Sequence, residues 1–281
     1  MKEVFNGKAI YNPSGAAGEY SYWACNFFKG CSNLCEYYYL KKGIWVITLG
    51  GDKPELKACF KDQSDAIRVF EKELLKNVDQ LRIHGLYFTF TSDPFLNETK
   101  ALTMQAVEIC LKNGVPVKLL TKCPKNAVLV FSGAGHLESL LIKNAGKIGF
   151  GVTLTGFNEL EPGADTHGER IIALNQFRCN GFKTFASIEP IIDFDKSYSM
   201  IDAAILFTDL FKVGLLSGKK FARRDVVAFI EKVHKLFESR IYQLHISPKL
   251  YWKESILKAA GIKRDSLPWY CVGRDYNLFN S

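Results

Sequence analysis

Residues 86–114 read LYFTFTSDPFLNETKALTMQAVEICLKNG, and this stretch is the clearest indicator of the fold. Its first residues are mostly aromatic or β-branched, which is typical of a strand. A polar strand end then leads into a helical pattern that stops at Asn113-Gly114, a pair common just after the last turn of a helix. The stretch is therefore one strand–loop–helix unit.

The same unit recurs along the chain at intervals of roughly 30 residues. Further strands are predicted at Tyr20–Asn26, Val117–Thr121, Ile148–Leu154, Lys183–Ile188, Phe211–Leu215 and Ile241–Ile246. Helical patterns cover 62–82, 97–113, 167–179, 197–208 and 222–239. Strands that alternate with helices in this way indicate βαβ units and a parallel sheet. We expect an α/β fold, a partial (β/α)6 barrel, as a single domain over 1–281 with an N-terminal extension (1–18), a barrel core (19–249) and a C-terminal cap (250–281).

Composition excludes several protein classes. With 47% hydrophobic residues among 281, the chain is not a disordered tail protein. No apolar run approaches the ~20 residues of a membrane span, and residues 1–6 lack the apolar core of a signal peptide, so a cytoplasmic protein without membrane association is predicted. The net charge of +8 permits a nucleic-acid partner, and the densest basic cluster, at 218–224, is a candidate anion site.

Eight cysteines are too sparse for a secreted disulfide scaffold, but one spacing suggests a metal site. Three thiolates spaced C-x3-C-x2-C suit a [4Fe–4S] cluster, each holding one iron. Here the spacing is Cys31-x3-Cys35-x2-Tyr38, so the third position holds a phenol, and Cys25 is the nearest substitute thiol. The remaining cysteines have no partner at metal-ligand spacing and are predicted to be buried thiols: Cys59, Cys110, Cys123, Cys179 and Cys271.

Five segments, in order, resemble the radical S-adenosylmethionine (radical SAM) superfamily, in its branch around spore photoproduct lyase. Residues 30–39 (GCSNLCEYYY) resemble that branch's GC-x3-C-x-YCY segment, with tyrosine in place of its last cysteine. Residues 91–95 (TSDPF) resemble its T-D-P-Y strand end, and 120–123 (LTKC) its T-K-S strand end. Residues 161–170 resemble its E-P-x-A…E-R segment, and 187–192 (SIEPII) its x-E/A-P-I-I strand end.

The resemblance implies a partial barrel with a [4Fe–4S] cluster and SAM at the carboxyl ends of its strands. In this family one electron cleaves the sulfonium of SAM to methionine and a 5′-deoxyadenosyl radical, which abstracts hydrogen from the substrate. Cys31 and Cys35 would be cluster ligands, and Tyr37 would lie near the adenine. Facing the methionyl amine, or lining the SAM and substrate cavity, would be Thr91, Ser92, Asp93, Thr121, Thr153, Ser187 and Glu189. Glu189 is also the candidate general acid or base, and hydrogen-bond acceptance is its alternative role.

Tyr38 leaves two functions open. A phenol, with a pKa of about 10, is a poorer anion than a thiol and is longer. The cluster is then lost, or it is held by two thiolates plus Tyr38 or Cys25, or the change is a recent or engineered one in a catalytic lineage. The chain is accordingly a radical SAM enzyme with nucleic acid as a candidate substrate, or a degenerate, non-catalytic barrel that binds a ligand or a protein partner.

Overall fold

A computed structural model describes residues 4–37, 51–132 and 136–280, without the side chains at 136 and 137. The strands of these residues are β1 (Ile10–Tyr11), β2 (Ala24–Cys25), β3 (Phe28–Lys29), β4 (Glu55–Leu56), β5 (Leu86–Phe88), β6 (Val117–Thr121), β7 (Ile148–Thr153), β8 (Lys183–Ile191), β9 (Leu210–Leu215) and β10 (Lys249–Trp252). The helices are α1 (Gln63–Lys76), α2 (Val78–His84), α3 (Lys100–Lys112), α4 (Pro124–Ser132), α5 (His136–Lys143), α6 (His167–Cys179), α7 (Phe194–Ala204), α8 (Arg223–Leu244) and α9 (Glu254–Ala260).

The main sheet has the strand order β1-β2-β5-β6-β7-β8-β9-β10. Every pair from β2 to β10 is parallel, and only β1 runs antiparallel to its neighbour. β3 and β4 form a separate antiparallel pair. Within the described residues no ladder joins β1 to β10, so the sheet is not closed into a barrel; the mostly parallel sheet that alternates with helices confirms the predicted α/β fold class.

The two faces of the sheet carry different side chains, because successive residues of a strand point to opposite sides. Phe211 and Val213 of β9 lie in the large core between the sheet and the helices. Leu210, on the same strand, lies in a second cluster on the concave face, with Tyr87 and Phe185. The Phe185 ring packs over Gly151, where a Cβ atom would approach it to 2.4 Å. The concave face is thus a filled interior rather than a channel.

Side-chain caps fix where three helices begin. Asp62, Thr166 and Asp193 have extended backbones and accept hydrogen bonds from main-chain amides in the first turns of α1, α6 and α7. At Thr166 the cap is reciprocal, since Glu169 bonds back to the Thr166 amide. This cap sets the first turn of α6, which carries two residues of the candidate site.

The predicted strand Ile241–Ile246 is wrong. Helix α8 continues to Leu244 and ends where His245 adopts a left-handed conformation (φ 51°). Tyr242 is 83% exposed, whereas a strand within this sheet would be buried; the strand lies at Lys249–Trp252 instead. Although α8 is the longest described helix, with 22 residues, neither it nor any other in the described ranges is long and apolar enough to cross a membrane.

Candidate functional site

The predicted cysteine loop follows β3 and begins in a tight turn. Gly30 has φ +78°, and a Cβ atom there would lie 2.3 Å from the Lys53 carbonyl oxygen, so only glycine fits. The Cys31 amide donates to the Gly51 carbonyl at 3.0 Å. Cys31 and Cys35 are free thiols with 9% and 5% of each residue exposed. The loop therefore holds both thiols inside the protein.

Asp93 joins this loop to the end of β6. Its Oδ2 accepts hydrogen bonds from Asn33 Nδ2 at 3.0 Å and from the Lys122 amide at 2.7 Å. Its Oδ1 accepts from Thr121 Oγ1 at 2.6 Å and from the Phe95 amide at 3.0 Å. Because Asp93 is only 5% exposed, these four bonds satisfy a buried carboxylate and fix the cysteine loop against the sheet.

Lys122 places a cation beside the second thiol. Its Nζ lies 3.2 Å from Cys35 Sγ and 4.8 Å from the centre of the Tyr37 ring. Burial raises the pKa of Cys35, and the Lys122 ammonium acts in the opposite direction. Lys122 also lies 3.5 Å from Glu161 Oε1, which links the loop to the segment before α6.

Glu161 and Arg170 form a fully buried ion pair at this edge. Arg170 Nη1 lies 2.6 Å from Glu161 Oε2 and donates to the Thr153 carbonyl at 2.8 Å. The Tyr37 hydroxyl donates to Glu161 Oε1. Burial raises the Glu161 pKa to about 7, although Arg170 lowers it. Arg170 Nη2 has no hydrogen-bond partner among the described atoms, so this guanidinium retains an unused donor.

The segment at 160–163 packs directly on the cysteine loop. A Cβ atom at Gly163 would lie 2.1 Å from the Ser32 carbonyl oxygen, and the Gly163 amide donates to the Asn33 carbonyl at 3.1 Å. The Glu36 amide donates to the Leu160 carbonyl at 3.0 Å. Glycine is thus required because two main chains touch here.

His167, at the start of α6, organises the exit from β7. Its Nε2 accepts from the amides of Thr155 at 3.0 Å and Gly156 at 3.1 Å, and its Nδ1 faces Asn158 Oδ1. Burial lowers the His167 pKa to about 4. The imidazole is therefore neutral at pH 7, with its proton on Nδ1, and shapes the loop.

Of the residues predicted to surround SAM, Ser92 retains unused hydrogen-bonding capacity. Its Oγ is buried and has no partner among the described residues. Thr91 Oγ1 donates to the Phe28 carbonyl at 2.6 Å, and Thr121 Oγ1 donates to Asp93. A buried hydroxyl without a partner is uncommon, and Thr89 and Ser197 share this condition with Ser92.

Glu189 lies in a second polar group, on the concave face beside β9 and β10. Its Oε1 and Oε2 accept from Lys253 Nζ at 2.8 and 2.7 Å. The Tyr20 hydroxyl donates to Glu189 Oε2 at 2.7 Å and lies 2.6 Å from Ser187 Oγ. Lys253 also lies 3.6 Å from Glu19 Oε2. The carboxylate that sequence analysis selects for proton transfer is thus engaged in an internal ion pair.

The segment 16–20 is held on the same face by main-chain contacts. Lys212 Nζ donates to the carbonyls of Glu19 at 2.6 Å and Tyr20 at 3.2 Å, and Arg274 Nε donates to the Gly18 carbonyl at 3.1 Å. Burial lowers the pKa of Lys212 well below its ordinary value. A cavity of only about 10 Å³ remains beside Tyr20 and Lys212. The segment 16–20 therefore fills the interior on the concave face of the sheet beside β9.

The structure divides the predicted site residues into two sets. The first, near β5 and β6, contains Cys31, Cys35, Tyr37, Asp93 and Thr121, and the second, on β8, contains Ser187 and Glu189. Ser92 belongs to the loop after β5, and the Thr153 carbonyl binds the arginine of the first set. Tyr38 lies outside the described residues.

Cys25 is not brought to the cysteine loop. It is fully buried in the core between the sheet and the helices, and its electrostatic neighbours include Cys110 on α3 and Glu73 on α1. Cys110 and Cys123 are buried as predicted. The prediction is wrong for Cys59, which lies in an exposed turn after β4, and for Cys179, the exposed last residue of α6; Cys271 is half-buried.

Part of the basic cluster at 218–224 supports the fold itself. Lys219 Nζ donates to the Ile192 carbonyl at 2.9 Å, and Arg223 Nε to the Ala260 carbonyl at 2.9 Å. Arg224 is paired with its neighbour Asp225. Lys219 and Arg223 are thus engaged with main-chain carbonyls but keep their charge, and Arg224 lies beside a carboxylate.

Sequence reasoning assigned no role to Lys122, His167, Arg170, Tyr20 or Lys253. The signal available for Arg170 was its place in the E-P-x-A…E-R segment, and for Lys122 its place in the T-K strand end. Nothing local indicates that Tyr20 reaches a residue 167 positions away. Within the described ranges, no three His, Cys, Asp or Glu side chains are grouped to hold a single metal ion.

Comparison with known proteins identifies the fold. No protein-family model matches the chain, and no curated protein matches it. Solved structures of spore photoproduct lyase do. A complex with dinucleoside spore photoproduct matches at a TM-score of 0.53 and 15% identity, over 84% of this chain and 65% of the lyase chain. A cysteine-to-alanine mutant of the lyase matches at a TM-score of 0.59 and 14% identity, over 85% of this chain and 78% of the lyase chain. A double mutant with bound AdoMet and dinucleoside spore photoproduct matches at a TM-score of 0.51 and 16% identity, over 78% of this chain and 62% of the lyase chain. The chain thus spans about two thirds of that lyase chain's length. This chain therefore has an α/β fold with an open, mostly parallel sheet, similar to the fold of spore photoproduct lyase.

Proposed function

We propose that this chain is a radical SAM-type enzyme that binds a [4Fe–4S] cluster and SAM at the carboxyl ends of β5 and β6. One observation carries the proposal. Cys31 and Cys35 are free, buried thiols in one loop, and Asp93 ties that loop to the carboxyl ends of two parallel strands. Ligands of open α/β sheets bind at such strand ends.

The donor chemistry supports this cofactor set. Thiolates are the protein ligands of iron–sulfur clusters, and nearby charges and hydrogen-bond donors tune the reduction potential of a cluster. Lys122 Nζ lies beside Cys35, and the buried Arg170 has an unused Nη2 donor. The unpartnered Ser92 hydroxyl supplies a polar contact for SAM. A bound cluster would supply the electron that cleaves the SAM sulfonium and so generates a hydrogen-abstracting radical.

The chain's own residues hold and shield this chemistry. Asp93 and Asn33 fix the loop position, and Gly163 lets a second segment cover it. Lys122 favours the thiolate form of Cys35, which a metal requires. Because both thiols are almost completely buried, the same packing keeps water away from them.

Anaerobic reconstitution tests the proposal. We expect about four irons and four sulfides per chain, with cleavage of SAM to methionine and 5′-deoxyadenosine under reduction. The double variant Cys31→Ala/Cys35→Ala should lose both, and Cys59→Ala/Cys179→Ala, which removes two exposed thiols, should lose neither. An unaltered protein that takes up no iron would favour a non-catalytic barrel and sink the proposal.

We further propose nucleic acid as the substrate class. In support, one matching lyase structure is complexed with dinucleoside spore photoproduct, and this chain has a net charge of +8 with exposed Lys220 and Arg224. Binding to DNA and RNA oligonucleotides should weaken steeply between 50 and about 200 mM salt. Absence of binding at low salt would remove this part of the proposal.

A further inference from the structure

The described part of the cysteine loop supplies two thiols, but a third buried thiol approaches it from the sheet. Cys123 follows β6 directly and is 6% exposed. Its Sγ donates to Asn33 Oδ1 at 3.0 Å, and Asn33 lies midway between Cys31 and Cys35 in the loop. The third thiol therefore lies against the centre of the loop that carries the other two.

A fixed frame holds these parts together. The Cys123 amide donates to Thr121 Oγ1 at 2.8 Å, and Thr121 in turn donates to Asp93. The same carboxylate binds the Asn33 side chain. Asp93 thus positions both the loop and the residue that faces it.

Cys123 also has surroundings unlike those of an ordinary buried thiol. Its electrostatic neighbours are Asp93, Asp165, Arg170 and Cys31. Cys110, one of two other buried thiols outside the loop, lies in the apolar core between the sheet and the helices. A thiol kept merely as a small apolar side chain is not expected among carboxylates and a guanidinium.

The sequence changes at 38 and 123 complement each other. Where the resembling family has cysteine in the loop this chain has Tyr38, and where that family has serine after T-K this chain has Cys123. With Cys31, Cys35 and Cys123, the number of thiols near the carboxyl ends of β5 and β6 is thereby kept at three. Each thiolate of a [4Fe–4S] cluster binds a different iron, so its ligands need not be grouped as they are around one ion.

We propose that Cys123, from the end of β6, takes the place of the missing loop cysteine and is the third iron ligand beside Cys31 and Cys35. This inference rests on the proposed function. In the structure the Cys123 thiol donates a hydrogen bond to Asn33 Oδ1. Binding of iron by Cys123 exchanges that hydrogen bond for a sulfur–iron bond and releases the thiol proton.

Three full-length variants test the ligand, with iron and sulfide content and the visible and electron paramagnetic resonance spectra as readouts. We expect Cys123→Ser to lose most of its iron, at least about threefold, or to retain it with an altered spectrum. Cys110→Ala, a matched buried thiol, should keep iron and spectrum. Tyr38→Phe, which removes only the phenol oxygen, should also keep both.

A fourth variant guards against a Cys123→Ser protein that simply misfolds. In Cys123→Ser/Tyr38→Cys the thiol returns to the loop, and we expect iron content to recover to near the unaltered level. Unchanged iron and spectra in Cys123→Ser, with loss in Cys31→Ala/Cys35→Ala, would overturn this inference and leave the proposed function standing. Loss of iron in Tyr38→Phe would identify the phenol as the ligand and overturn it as well. An unaltered protein without iron would overturn both proposals.

Discussion

Asp93→Asn is the substitution that most directly tests how the candidate site is assembled. The carboxylate accepts two hydrogen bonds on each oxygen, and an amide can accept on one oxygen only. Either orientation of the new amide removes two bonds to a charged acceptor and leaves a buried main-chain amide, that of Lys122 or of Phe95, facing another donor. At about 1.5–3 kcal/mol for each such bond, the loss in the free energy of unfolding is about 3–6 kcal/mol.

Urea unfolding followed by circular dichroism measures this loss. Asp79→Asn is the matched control: its carboxylate is 89% exposed and only pairs with Arg82 at 3.5 Å, so a change below about 0.5 kcal/mol is expected. In the native state the Asp93 variant should also expose Cys35 and Cys123 to a thiol reagent faster than the unaltered protein, because the loop loses its tie to β6. A stability within about 1 kcal/mol of the unaltered protein, with unchanged thiol reactivity, would refute the account of Asp93 as the joint between loop and sheet.

Three further outcomes follow from buried contacts. Since the Glu161 pKa of about 7 lies above its ordinary 4.5, protonation of Glu161 favours the folded chain. This contribution to the free energy of unfolding, about 3 kcal/mol, is present below pH 4.5 and is lost as pH rises through 7. Glu161→Gln should remove this decline with pH, and urea midpoints that fall with pH as steeply in the variant as in the unaltered protein would contradict the prediction. Gly163→Ala should destabilise the chain by more than about 2 kcal/mol in thermal unfolding, because its Cβ would meet the Ser32 carbonyl at 2.1 Å; a normal midpoint would mean that the two segments separate freely. Tyr20→Phe should cost about 1–3 kcal/mol by leaving Glu189 short of a donor, and an unchanged urea midpoint would show that the hydroxyl contributes nothing.

The central strands could be predicted because their sequences carry the pattern that burial requires. β6, β7 and β9 carry large aliphatic or aromatic residues at the alternate positions that face the helices, and turn residues follow them, so both type and limits follow from the pattern. The strand at 249–252 was missed because Ile241 and Ile246 suggested a strand, although the apolar spacing of α8 continues through Ile241 to Leu244. A β-branched residue is a weak signal where helical packing over many turns opposes it.

The candidate site was predictable only where it follows a strand. Thr121 is the last residue of β6 and Asp93 lies in the loop after β5, and the rule for parallel sheets brings such residues together. Arg170 lies on a helix, and its contact with Glu161 depends on how α6 packs against β7. The role of Cys123 is likewise invisible in spacing, because the loop residue that it bonds lies 90 positions earlier in the chain.

The segment 16–20 has a consequence for the order in which the molecule assembles. Lys212 meets its carbonyl partner across 193 positions and Lys253 reaches Ala16 across 237, so residues synthesised early are enclosed by strands synthesised late. Closing such long loops is entropically costly and makes folding slow. During translation the segment 16–20 cannot yet be held against the concave face of β5 to β8, so apolar surface there is exposed to aggregation or to chaperones. For this chain, completion of the barrel interior is a late event that only the last strands can trigger.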